Sequence, residues 1–138
     1  MKTILLTVGR ARAPFAAADA HYRRLLARHV KLDVVEARNN AELLRRLPER
    51  ARIVALDREG NQMDSMGWSR WLGERRLEAR DVWILIGGPE GLPAAALEAA
   101  QERLSLGPQT MAHQLARVVL LEQLFRAAKI AAGERYHH

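Results

Sequence analysis

The sequence predicts an α/β fold, a mostly parallel sheet flanked by helices. Two observations carry this expectation. Short apolar, β-branched runs alternate along the chain with longer stretches whose apolar residues recur at helical spacing. One run, Val82–Ile86, is apolar without alternation, the pattern of a strand covered on both faces. At 138 residues the chain has room for one core, so a single domain over 1–138 is expected, with no internal repeat, low-complexity tract or linker.

The elements follow in order. Thr3–Val8 reads as a first strand, stopped by Gly9. Pro14 suits the first turn of a helix in which Phe15, Ala18, Tyr22, Leu25 and Leu26 share a face. Leu32–Glu36 reads as a second strand. Asn39 with Glu42 resembles a capping box, and Pro48 ends the short helix it opens. Ile53–Asp57 is a third strand and Arg58–Asp64 a loop around Gly60–Asn61. Ser65 is placed to cap a helix running to about Ala79, with Trp68 and Trp71 in the ordinary core or interface spacing. After Val82–Ile86, Gly87–Gly91 must turn. Pro93 opens an Ala-rich helix to about Arg103, and Leu104–Leu106, too short to assign alone, is a candidate last strand. Gly107–His113 reads as a loop and Gln114–Ala132 as a long helix closed by Gly133. The apolar stripe of that helix is wider than one sheet contact needs. It fits a subunit interface and a helix sunk in its own core equally well.

Composition excludes several classes. With no cysteine there are no disulfides, no thiolate metal sites and no cysteine nucleophile, which fits a reducing cytosol. No apolar run approaches the roughly 20 residues that span a bilayer, and the N-terminal run is too brief for a signal peptide. A cytoplasmic protein with no membrane partner is expected. The net charge of +6 is unevenly placed: Met1–Arg52 holds 12 Lys and Arg against 5 Asp and Glu, and the remainder 10 against 11. Of the basic residues 19 are Arg, whose planar fork suits phosphate, although an Ala- and Leu-rich composition is an alternative source of Arg.

Ligands of parallel α/β sheets bind beyond the carboxyl ends of the strands. Leu56–Asp57, Gly87–Gly91 and Leu106–His113 lie at such ends and together would line one pocket. Gly87–Gly88 would let backbone approach a ligand and read the edge of a base such as adenine. There is no Walker loop and no Gly-x-Gly-x-x-Gly fingerprint, so phosphate-loop and nicotinamide chemistry lose ground. No pair among the five His has a metal-ligand spacing, and no metal is expected. The three Ser lie outside any nucleophile elbow. His113 sits among the candidate ligand residues. Glu122 fits an ion pair with an Arg better than a catalytic role.

At these residues the chain resembles a known family. Leu85–Leu92 is similar to the glycine-loop signature of the SPOUT methyltransferases, above all the ribosomal large-subunit pseudouridine methyltransferase H family. Lys2–Gly9, Ile53–Asp57, Ser105–Leu106, Thr110, His113, Leu115–Val118, Glu122–Ala127 and Tyr136–His137 match in order and spacing, so the resemblance covers essentially the whole chain. It implies an α/β sheet with a C-terminal trefoil knot, working as a homodimer. It also implies methyl transfer from S-adenosyl-L-methionine to N3 of a pseudouridine in 23S rRNA of the large ribosomal subunit.

By the same resemblance Leu56, Gly87, Leu106, Gly107, Pro108, Gln109, Thr110 and Met111 would hold the cofactor. His113 and His137 become candidate proton acceptors, with Tyr136 shaping the pocket and the tail coming from the partner subunit or closing over the cofactor. Arg10, Arg12, Arg23 and Arg24 are candidate contacts to ribosomal phosphates. Other readings are a SPOUT enzyme acting on another RNA site and a ribosome-associated RNA-binding protein without catalysis. The chain departs from the family pattern at His138, where Arg is expected, at Ala112 and Gln114, where Pro flanks the His, and in the short Arg38–Arg52 region.

Overall fold

The computed structural model describes residues 1–136. Five strands form one sheet in the order β2-β1-β4-β3-β5, every pair parallel. They are β1 (Lys2–Val8), β2 (Lys31–Ala37), β3 (Arg52–Gln62), β4 (Val82–Ile86) and β5 (Glu102–Ser105). The helices are α1 (Ala16–Leu26), α2 (Asn40–Arg45), α3 (Ser65–Glu78), α4 (Ala94–Ala99) and α5 (His113–Ala131).

The period-two alternation of the strands sorts the core into two layers. Leu5, Val54, Val82, Ile84, Ile86 and Leu104 face α1, α3 and α5, where they meet Leu26, Trp68, Trp71, Leu72, Leu120, Leu121, Leu124 and Phe125. Leu6, Ile53 and Leu85 face the opposite side with Leu43 of α2 and Ala96 of α4. β4 is central, with both faces covered, as its unbroken apolar run requires. Trp68 and Trp71 are core, and Trp83 packs half-buried on the second layer.

Several local expectations shift. β3 does not stop at Asp57. It bulges after Leu56 and pairs again, Asn61 with Leu104 and Gln62 with Ser105. Gly60 permits this, since a Cβ there would lie 2.7 Å from the carbonyl carbon of Arg103. The cap of α3 is Asp64 rather than Ser65. Its carboxylate accepts from Gly67 N–H at 2.7 Å, and Ser65 instead donates to Gln123 Oε1.

α4 ends at Ala99 rather than near Arg103. Gln101 pairs with Ile53 through both backbone and side chain and draws Glu102–Arg103 into the sheet. Pro14 lies in a turn before α1, which begins at Ala16, and His113 is the first residue of α5 rather than loop. The capping of α2 is as read, with Asn39 Oδ1 accepting from Glu42 N–H. α5 ends in a Schellman motif. Gly133 (φ +74°) donates to Ile130 O and Glu134 to Lys129 O.

Most of the wide apolar surface of α5 is buried within its own chain. Leu115 stays exposed, and Val118 and Val119 are half-buried. Among the described residues no helix is long and apolar enough to cross a membrane.

Candidate active site

The bulge of β3 after Leu56 and the carboxyl ends of β4 and β5 meet around a cleft of about 460 Å³, within the usual range of small-ligand sites. Its wall includes Leu56, Gly87, Leu106, Gly107, Gln109, Thr110, Met111 and His113, so the three segments do converge. Pro108 belongs to the same loop but is exposed and does not line the cleft. Sequence reasoning missed Arg58, Leu97 and Ala116, which also line it. Arg58 donates to Thr110 Oγ1 at 2.9 Å, tying the bulge of β3 to the last loop. Ser105 Oγ holds the base of that loop, donating to Gly107 O at 2.9 Å and accepting from Gly107 N–H at 3.0 Å.

The glycine loop folds on itself before it meets anything else. A Cβ on Gly87 would lie 2.5 Å from the carbonyl carbon of Gly91 and 2.6 Å from Leu92 N. Gly87 is therefore required by its own loop, not only by a ligand's approach. Gly87→Ala should cost about 1–3 kcal/mol through overpacking. Gly73→Ala, whose Cβ meets nothing within 4 Å, should be neutral or mildly stabilising. Thermal unfolding of both variants checks the contrast.

His113 opens α5 at the cleft wall. Burial, with the positive charges of Arg12 and Arg117, pushes its imidazole below the ordinary value of 6.5, which favours the neutral form. Tyr136 is not near it. Its ring packs on Phe125 at 4.9 Å between centroids and under the Arg126 guanidinium at 4.7 Å. Phe125 lies twelve residues along α5 from His113, roughly 18 Å away at helical rise. Burial and the nearby Glu122 carboxylate raise the Tyr136 phenol above its ordinary value. Glu122 pairs with Arg126, as the sequence suggested. His137 lies outside the described residues.

Behind the cleft a buried ion network joins four elements. Arg117 is 1% exposed and Asp19 2%. Arg117 donates to both Asp19 oxygens at 2.9 and 3.2 Å, to Glu36 Oε2 at 2.8 Å and to Thr7 Oγ1 at 3.3 Å. Burial pushes the Glu36 carboxyl upward. Hydrogen bonds from Arg117 and Ala11 N–H, with the charges of Arg117 and Arg23, outweigh that and hold it below its ordinary value. The one sequence signal for this network is an Arg interrupting the apolar stripe of α5.

Of the candidate phosphate contacts, Arg10, Arg12 and Arg24 are exposed. Arg23 is half-buried and lies 3.7 Å from Asp19. Among the described residues no three His, Asp or Glu side chains gather as a metal site would require.

The family model described as "Predicted SPOUT methyltransferase" matches residues 1–137. A protein of Gemmatimonas aurantiaca named ribosomal RNA large subunit methyltransferase H is 41% identical, the match covering 99% of each chain. One of the same name from Rubrobacter xylanophilus is 42% identical over 99% of this chain and 98% of its own. Among solved structures, the SpoU methyltransferase AviRb of Streptomyces viridochromogenes, in complex with AdoMet, superposes with a TM-score of 0.56. It is 14% identical, covering 96% of this chain and 58% of that one, which is a likeness of fold. A 41% identity that runs the full length of both chains, on a sheet whose loops meet in one cleft, leaves one assignment: this chain belongs to the SPOUT methyltransferase family, among the ribosomal RNA large subunit methyltransferase H proteins.

Proposed function

We propose that the chain is a methyltransferase that uses S-adenosyl-L-methionine to methylate N3 of a pseudouridine in 23S rRNA of the large ribosomal subunit. It acts in the cytoplasm as a homodimer of single-domain chains, each with a C-terminal trefoil knot. The observation that carries this reading is the convergence of three separate loops on one cleft with His113 on its wall.

The residues present fit the cofactor. Leu56, Leu106, Met111 and the half-buried Leu92 and Leu97 offer an apolar bed for adenine, and the peptide groups of Gly87 and of Gly107–Thr110 offer donors and acceptors for its edge and the ribose. When bound, the cofactor supplies an electrophilic methyl group. The chain's share of the reaction is orientation and proton removal. The pseudouridine imide must give up its N3 proton as the new N–CH3 bond forms, and the neutral His113 accepts it. Arg10, Arg12 and Arg24 face the phosphates, with Arg23 partly committed to Asp19.

Two features support the dimer and the knot. Tyr136 packs on Phe125, which lies some 18 Å along α5 from its own chain's His113, so a tail that serves a cleft serves the partner's. α5 leaves edge strand β5, returns across the sheet and lies between α1 and α3. The half-buried Val118 and Val119, with Leu115 beside them, leave an apolar strip for a second copy.

The test is transfer of labelled methyl groups to 70S ribosomes, free large subunits and bare 23S rRNA, with the modified base located by mass spectrometry. Label on N3 of one pseudouridine is the expected result. No transfer to any of the three overturns the reading, and ribosome binding without transfer points to a non-catalytic partner.

A further inference from the structure

The loop after β1, Gly9–Ala13, carries two of the candidate phosphate contacts, and its backbone is pinned from two directions. From β2, Ala37 O accepts from Gly9 N–H at 2.7 Å and Glu36 Oε2 accepts from Ala11 N–H at 3.0 Å. From α5, Arg117 Nη1 donates to Gly9 O at 3.4 Å, and one further side chain makes two bonds. Gln114 Nε2 donates to Arg10 O at 2.6 Å, and Gln114 Oε1 accepts from Arg12 N–H at 3.0 Å. The carboxamide thus pairs with peptide groups on both sides of Ala11, as a neighbouring strand would. Gln114 is the residue after His113. Among the described residues, Arg10 and Arg12 are exposed and take part in no ion pair.

We infer that Gln114 is a positioning residue: its two hydrogen bonds fix the Arg10–Arg12 loop to the first turn of α5, so that two free guanidiniums meet an RNA backbone at the rim of the cleft beside His113. The inference rests on the RNA methyltransferase reading and adds to it the device that registers bound RNA against the catalytic His. A loop already ordered has less freedom to lose on binding. A neutral clamp also suits the task. A carboxylate at the same place would pair with the arginines and repel phosphate. The field of Arg12 at His113 is a sign of how near the loop is brought.

The experiment compares the full-length parent with Gln114→Ala, Arg10→Gln/Arg12→Gln and the triple variant. Dissociation constants for ribosomal RNA are measured across a salt series, S-adenosylmethionine affinity by calorimetry, and thermal midpoints as a check on folding. Loss of two clamp bonds should weaken RNA binding by about tenfold. The slope of log affinity against log salt should become shallower by about one to two. Cofactor affinity should be unchanged. The deciding comparison is the triple variant: Gln114→Ala should cost nothing further once both arginines are gone.

A cost that persists in the arginine-free background, RNA binding of Gln114→Ala equal to the parent's, or an equal fall in cofactor affinity overturns the positioning role while leaving the proposed function standing. A parent chain that neither binds nor methylates ribosomal RNA overturns both.

Discussion

Arg117→Met should unfold far more readily than the parent chain, by about 3–5 kcal/mol, the usual cost of removing one partner from a buried ion pair. The guanidinium is 1% exposed and satisfies an Asp19 carboxylate that is itself 2% exposed. Without it the buried Asp19 carboxyl keeps only the half-buried Arg23, 3.7 Å away, as a partner, and Glu36 loses its shortest hydrogen bond. Adding Asp19→Leu should recover most of the loss, because the penalty lies in a buried carboxyl left with only the more distant Arg23 rather than in the missing attraction. Urea unfolding with an unchanged m-value measures both variants.

The pH dependence provides a second check. The folded-state pKa of Glu36 is lowered from 4.5. Its stabilisation is therefore present above the unfolded value and is lost as pH falls through the folded one. In Arg117→Met the acid loss below about pH 4.5 should be shallower than in the parent, since burial then acts on Glu36 with far less to oppose it. An acid limb identical in both proteins would show that Arg117 does not hold Glu36 ionised.

His113→Ala should lower the rate of methyl transfer by about 10²–10⁴, the usual contribution of a positioned general base, with cofactor affinity close to the parent's. Because burial and two guanidiniums depress the pKa of His113, its base form persists below pH 6.5. The acid limb of kcat/KM should therefore fall below that value and disappear in the variant.

If the chain works as the proposed homodimer, a stronger form of this experiment is available. A chain ending at Arg135 lacks Tyr136 and the residues after it, and should be inactive by itself. Mixed with His113→Ala and allowed to exchange subunits, it should regain activity. Some mixed dimers then pair an intact His113 in one chain with an intact tail from the other. No recovery, with exchange verified by mass spectrometry, would place the tail's role within its own chain or nowhere.

Much of the fold was legible because it rests on local, periodic rules. Alternating apolar runs set the strands, Asn39 and Gly133 announced their helix boundaries, and an unbroken apolar β4 implied burial on both faces. Errors fell where a distant partner outvoted local preference. Arg58–Asp64 reads as loop until β5 offers a ladder for the bulged end of β3. The Ala-rich stretch reads as helix to Arg103 until Gln101 binds Ile53 and turns the chain into the sheet.

The site divides in the same way. The chain's composition and motifs alone determined its α/β class, the loops that carry the cleft, the place of His113 among them and the family it resembles, and the resemblance implied the candidate role of His113. Each of these is a property of short segments or of their order. Only the tertiary structure decided that Gly87 is needed by its own loop, that Tyr136 stands far from its own chain's His113, and that Arg117, Asp19 and Glu36 form one network. It also decided that Gln114 clamps the arginine loop. The contacts of Arg117 and Gln114 span between 81 and 110 residues of sequence. An Arg in an apolar stripe or a Gln after a His has no local partner, and its meaning appears only when folding brings a remote carboxylate or peptide group within hydrogen-bond reach.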